Sequence, residues 1–172
     1  MRRVPPPWIC IVGRSGAGKT TVLEGLVRIF RGWGLRVGTI KHDPHGGMEW
    51  DQVGKDTWRH REAGADLVIG VTPRWLWISR RLERPLTLRD LVQELQGVDV
   101  ILVEGFHTEA APKVEVMRSE TGLEPVTQPG ERWAIVSDVP LELGAPCFRF
   151  GELEELARFL ARRLGLPGAT PR

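Results

Sequence analysis

Residues Gly13-Arg14-Ser15-Gly16-Ala17-Gly18-Lys19-Thr20 match the phosphate-loop pattern GxxxxGK(S/T) at every fixed position. An apolar run, Trp8-Ile9-Cys10-Ile11-Val12, leads into them, and an amphipathic stretch over residues 19–32 follows. Strand, glycine-rich turn and helix form the setting this motif requires. The glycines let backbone amides turn inward around phosphate oxygens. Lys19 supplies charge to β and γ phosphates, and the Thr20 hydroxyl faces Mg2+. The helix start adds its unpaired amides and positive end. Thr21 is open to two readings, an α-phosphate contact or a helix cap.

The rest of the chain alternates strand and helix patterns. Strands are expected at 8–12, 35–40, 67–71, 75–79, 98–103, 113–117, 133–137 and around Cys147. Helices are expected at 19–32, 53–63, 87–96 and 151–164. The run Val98 to Val103 is nearly all apolar, as suits a strand covered on both faces. This alternation predicts an α/β phosphate-loop (P-loop) NTPase fold, a mostly parallel sheet with helices on both faces. A length of 172 residues fits one nucleotide-binding domain, with short tails at 1–7 and 166–172.

In such folds ligands bind beyond the carboxyl ends of the strands. Glu104 stands there, after four apolar residues and before a turn-permitting glycine. It is expected at Mg2+, directly or through water, with pairing to Lys41 as the plain alternative. Asp99 begins the same strand, at the wrong end. Asp43 follows the second strand of the cleft and is a candidate to hold a metal-bound water or orient the attacking water, with an Asp-Pro turn as the plain reading. Lys41, His42 and His45 flank it; Lys41 suits an anionic substrate or the γ phosphate, and the two histidines either do the same or order the loop. No thiolate accompanies the histidines, which argues against a structural zinc. Lys19, Asp43 and Glu104 are thus the catalytic candidates, and Thr20, Asp43 and Glu104 the metal candidates. Asp138 ends a late strand. A carboxylate there can accept the N1 and N2 hydrogens of guanine, or simply cap a turn.

Composition narrows the classes. The net charge of +2 is small and dispersed, weak grounds for a nucleic-acid partner. Two distant cysteines make no disulfide framework, and both read as buried thiols. No apolar run approaches the roughly 18 residues of a membrane span. No signal-peptide pattern is present, so a cytoplasmic location is expected. Trp75 and Trp77 alternate with Leu76 and Ile78, which places the two tryptophans on one strand face. A packed core is the default for them, a dimer or partner surface the alternative.

Together the motifs resemble the MobB family, GTP-binding accessory proteins of molybdopterin guanine dinucleotide synthesis. The resemblance rests on Gly38-Thr39-Ile40-Lys41-His42-Asp43-Pro44-His45, on residues 51–65 from Asp51 to Ala65, on Val103-Glu104-Gly105-Phe106 and on Pro112 to Val116. It covers about residues 8 to 140. It implies a homodimer that binds GTP with Mg2+, hydrolyses it weakly and works beside a MobA-type guanylyltransferase, with molybdopterin or molybdoenzymes as further partners. Its phosphate-loop role maps onto Gly13, Gly16, Gly18, Lys19 and Thr20, and its KHxxH element onto Lys41, His42 and His45. Its acidic strand end maps onto Glu104 and its base-side aspartate onto Asp138. Arg14 stands where some dimeric P-loop proteins carry an extra lysine, so it either reaches a phosphate across an interface or points to solvent. Two other functions fit the residues: a small-molecule kinase with its acceptor beside Lys41 to His45, and an interaction module shaped by bound nucleotide.

Overall fold

A computed structural model gives the fold and describes residues 5–43, 46 and 51–167. The described chain divides into two compact units, residues 1–42 with 88–172, and Asp43–Thr87.

The first unit is a six-stranded sheet with helices. Its strands are β1 (Trp8–Val12), β2 (Val37–Lys41), β5 (Val100–Glu104), β6 (Lys113–Met117), β7 (Arg132–Ser137) and β8 (Cys147–Phe148). The helices are α1 (Lys19–Gly32), α3 (Leu88–Glu94) and α4 (Leu153–Leu164). The strand order is β2-β5-β1-β6-β7-β8, and every pairing is parallel. Side chains alternate between the two faces of a strand, and the core divides accordingly. Ile9, Ile11, Val100 and Leu102 join one cluster with Val22, Leu26 and Phe30 of α1 and Leu156 and Leu160 of α4. Cys10, Val12, Ile101 and Val103 join a second with Leu88 and Val92 of α3. The expected P-loop NTPase-like α/β fold is therefore present. Burial pushes the Cys10 thiol up to about 12; Cys147 is only half-buried, contrary to expectation.

The β6–β7 half of the sheet is built differently. Lys113 and Glu115 alternate with Val114 and Val116, a pattern that reads as one wet face, yet all four are buried. The Glu115 carboxylate accepts from the Val126 amide, the Thr127 hydroxyl and Arg132 Nε. Arg132 also donates to the Thr127 and Leu143 carbonyls. Lys113 Nζ reaches the Glu109 carbonyl at 2.7 Å and Glu131 at 2.6 Å. No helix connects β6 to β7; loops tied down by these charges take its place. A buried ion pair survives only when its remaining hydrogen-bonding capacity is also met, and here it is.

The second unit holds α2 (Asp56–Glu62) and an antiparallel hairpin of β3 (Leu67–Val71) and β4 (Leu76–Arg80). Sequence patterning places the helix at 53–63; the observed one is shorter and buries no residue. The hairpin register opposes Ile69 to Ile78 and Val71 to Leu76, so Leu67, Ile69, Val71, Leu76 and Ile78 share a face. All five are more than half exposed. Trp77 falls on the other face with Val68 and is 55% exposed, and Trp75 is 69% exposed. The default core packing of these tryptophans is therefore not met within this chain.

Candidate functional site: a phosphate cradle at the carboxyl ends of the parallel strands

The loop after β1 departs from ordinary backbone at three glycines, Gly13, Gly16 and Gly18, all with positive φ. Two of them also lie hard against other parts of the chain. A Cβ at Gly13 would lie 2.2 Å from the Val116 carbonyl oxygen of β6, and one at Gly18 would lie 3.0 Å from the Phe150 ring. Ala17 is fully buried, while Arg14, Ser15 and Gly16 are exposed at the crest. Gly18 caps α1, and the first intrahelical bond of the turn runs from the Val22 amide to the Gly18 carbonyl. The amides of Lys19, Thr20 and Thr21 thus precede that bond and have no carbonyl four residues back within the helix. Thr21 lies exposed inside the first turn; the cap position belongs to Gly18, so the capping role considered for Thr21 is not what it does.

Lys19 folds back over its own loop. Its Nζ donates to the Gly13 carbonyl at 3.1 Å and the Arg14 carbonyl at 2.8 Å. Partial burial pulls its ammonium below the ordinary lysine range; Glu104 works against that shift and Lys41 with it. The Thr20 hydroxyl donates to Glu104 at 3.1 and 3.2 Å to the two carboxylate oxygens. Lys41 Nζ stands 3.4 Å from the same carboxylate, whose side chain is only 12% exposed. Both readings of Glu104, the metal-side carboxylate and the partner of Lys41, are thereby compatible with one position. Parallel pairing explains the convergence, since Lys41 and Glu104 are direct register partners at the ends of β2 and β5.

His42 stacks on Phe106, ring centres 4.1 Å apart and planes 19° apart. Phe106 is buried and holds a left-handed backbone, φ 55°, the only such non-glycine among the described residues. A bulky residue in that region is strained, and strain of this kind collects at functional sites. Asp43 is half-buried two residues beyond β2, and it stays a candidate by position. His45 lies outside the described residues. Arg14 turns sideways and pairs with Glu124 at 3.0 Å. Asp99 pairs with Arg36 at 3.0 Å at the opposite end of the strands, as its place before β5 predicts.

Asp138, directly after β7, accepts from the Ser119 amide at 3.0 Å and the Ser119 hydroxyl at 2.7 Å. Those bonds hold its carboxyl below the usual aspartate range. It is exposed and ionised, with acceptor capacity beyond the two bonds already made. Turn capping next to it is performed by Ser137, whose hydroxyl accepts the Val139 amide. Arg118, the first residue after β6, has no place in the motifs read above. Its signal was positional, because it too sits at the carboxyl end of a parallel strand.

Among the described residues no group of three or more His, Cys, Asp and Glu gathers as a metal site, and no helix is long and apolar enough to cross a membrane. A Mg2+ ion does not need such a group. It keeps several waters and takes one or two protein oxygens beside phosphate oxygens. Thr20 and Glu104 are two hard oxygen donors in contact, and they fit that demand.

A parallel sheet, a glycine loop after its central β1, a lysine and threonine opening α1, and a carboxylate at the end of the neighbouring β5 define a P-loop NTPase-like protein. The family described as "Molybdopterin guanine dinucleotide synthesis protein B" matches residues 8–138. The molybdopterin-guanine dinucleotide biosynthesis adapter proteins of Haemophilus influenzae and Escherichia coli are each 34% identical to the chain, over 157 and 160 residues. Each alignment spans 90% of this chain, and 87% and 91% of the two relatives. The crystal structure of Bacillus subtilis MobB superposes with a TM-score of 0.72 at 28% identity, covering 94% of this chain and 99% of that one. The chain belongs to the MobB family.

Proposed function

We propose that this protein is a GTP-binding accessory protein of molybdenum cofactor biosynthesis, acting where GMP is attached to molybdopterin. The relatives are named as adapters of molybdopterin-guanine dinucleotide synthesis, which supports the pathway. The single observation that supports the nucleotide is the convergence of Lys19, Thr20 and Glu104 at one loop. In this reading the loop amides and Lys19 bind the β and γ phosphates. Thr20 and Glu104 hold Mg2+, which would supply positive charge to the same oxygens when bound. Asp138 accepts the N1 and N2 hydrogens of guanine, and adenine, lacking that donor pair, is rejected.

Turnover is expected to be slow. Phosphoryl transfer needs positioning and charge, and a residue to orient the attacking water. Asp43, two residues beyond β2, is the carboxylate assigned that task here, and Glu104, bonded to Thr20, is assigned the metal side. Slow hydrolysis suits an adapter whose bound nucleotide governs a partner, here a MobA-type guanylyltransferase, with molybdopterin or molybdoenzymes beyond it. The exposed aliphatic face of the β3–β4 hairpin supports a homodimer, because apolar faces of this kind mark association surfaces.

Incubation with γ-labelled GTP and Mg2+, with and without hydroxylic acceptors, tests the reading. Slow release of phosphate to water, lost in Lys19→Ala, is expected. Transfer to an acceptor far faster than hydrolysis would instead make the protein a small-molecule kinase.

A further inference from the structure

Arg118 leaves β6 next to the loop glycines. Its Nε donates to the Ala17 carbonyl at 3.3 Å, and its guanidinium carbon lies 4.4 Å over the centre of the Phe150 ring. Both side chains rest on Gly18, where an added Cβ would come within 3.0 Å of Phe150 and 3.3 Å of an Arg118 nitrogen. The segments just after two strands that are not neighbours, β6 and β8, thus bring one side chain each to the last glycine of the cradle. The surrounding strand ends gather there too. Ser119 holds Asp138, and Arg149 donates to the Asp138 carbonyl.

The sheet order says which part of a nucleotide this cluster faces. β1 lies between β5 and β6. The β5 side carries Glu104 and Lys41, the charges suited to metal and terminal phosphate. A nucleotide whose phosphates sit in the loop therefore directs its sugar and base to the β6–β7–β8 side, toward Arg118, Asp138 and Phe150. A guanidinium is flat, weakly hydrated and stacks on π-faces, which a lysine ammonium cannot do. Bases stack on such planes without regard to sequence.

We propose that Arg118, held between the Phe150 ring and the Ala17 carbonyl, is the platform on which the base of a bound purine nucleotide stacks. The inference rests on the nucleotide reading above and adds a base contact to it. Stacking on Arg118 supplies affinity common to purines, while discrimination between them falls to the edge contacts.

The test compares two probes, GTP and inorganic tripolyphosphate, each with Mg2+ in equilibrium dialysis against the full chain. Arg118→Ala is expected to weaken GTP about tenfold, within the range for losing one stacked base, and to leave tripolyphosphate unchanged. Arg118→Lys keeps the charge and loses the plane, and it should weaken GTP almost as much. Phe150→Leu, which keeps the bulk and removes the ring, should show a smaller loss of the same kind. Equal weakening of both probes by Arg118→Ala, or full rescue by lysine, would overturn the proposal and make Arg118 a phosphate contact. Unchanged GTP binding in all three variants would overturn it as well. Failure of the wild type to bind either probe would instead remove the nucleotide reading on which the proposal rests. Far-ultraviolet circular dichroism of each variant identifies loss of fold, and Arg118→Lys carries the test if the alanine variant unfolds.

Discussion

The sheet unit and the hairpin unit are made of similar-looking strands that meet opposite fates. Val100-Ile101-Leu102-Val103 is wholly buried, with two residues to each face of the sheet. Leu67-Val68-Ile69-Gly70-Val71 is as apolar, yet three of its residues are more than half exposed. A two-stranded hairpin is marginal in water unless something covers it. An apolar strand announces only the need for a cover. The sheet unit satisfies that need within the chain, and the hairpin unit does not.

The largest effect is expected where burial is complete. Glu115→Ala strips the buried Arg132 guanidinium of its ion-pair partner; both side chains are at most 2% exposed. Removing one member of a buried pair costs about 3–5 kcal/mol. Urea unfolding should record a loss of that size. A loss below about 1 kcal/mol, the scale of an exposed pair, would mean that water reaches the site.

The hairpin should answer in the opposite way. Ile78→Lys on the exposed aliphatic face is expected to leave the stability of one chain within about 0.5 kcal/mol, as surface changes do. Self-association should weaken at least about tenfold, the loss a residue of an interface centre causes. Sedimentation velocity across a concentration series measures it. A variant that associates as the wild type does would remove this face from the dimer.

Local residues made the site more legible than its surroundings. Loop 13–20 and Glu104 carry their meaning in spacing and strand position, because parallel strands deliver their ends to one edge. Asp99 could be dismissed on the same ground, and its pair with Arg36 lies at the amino ends of those strands. Three things were hidden. Lys113 and Glu115 alternate as though one face were wet, and only the loop that returns over them makes that face dry. Arg118 belongs to no motif, and its value arises from Phe150, thirty-two residues later, meeting it at Gly18. The hairpin's aliphatic face follows from the register of β3 on β4, which the alternation of tryptophans around Leu76 did not reveal.

In the proposed function Lys19, with the loop amides and Thr20, grips the phosphates of a purine nucleotide. Isothermal titration of GTP with Mg2+ into the wild type and into Lys19→Ala tests it most directly. One saturable site per chain is expected in the wild type, weakened about 10- to 150-fold in the variant, the worth of a charge-assisted hydrogen bond of roughly 1.5–3 kcal/mol. No saturation at millimolar nucleotide, or equal affinity of the two proteins, would contradict it.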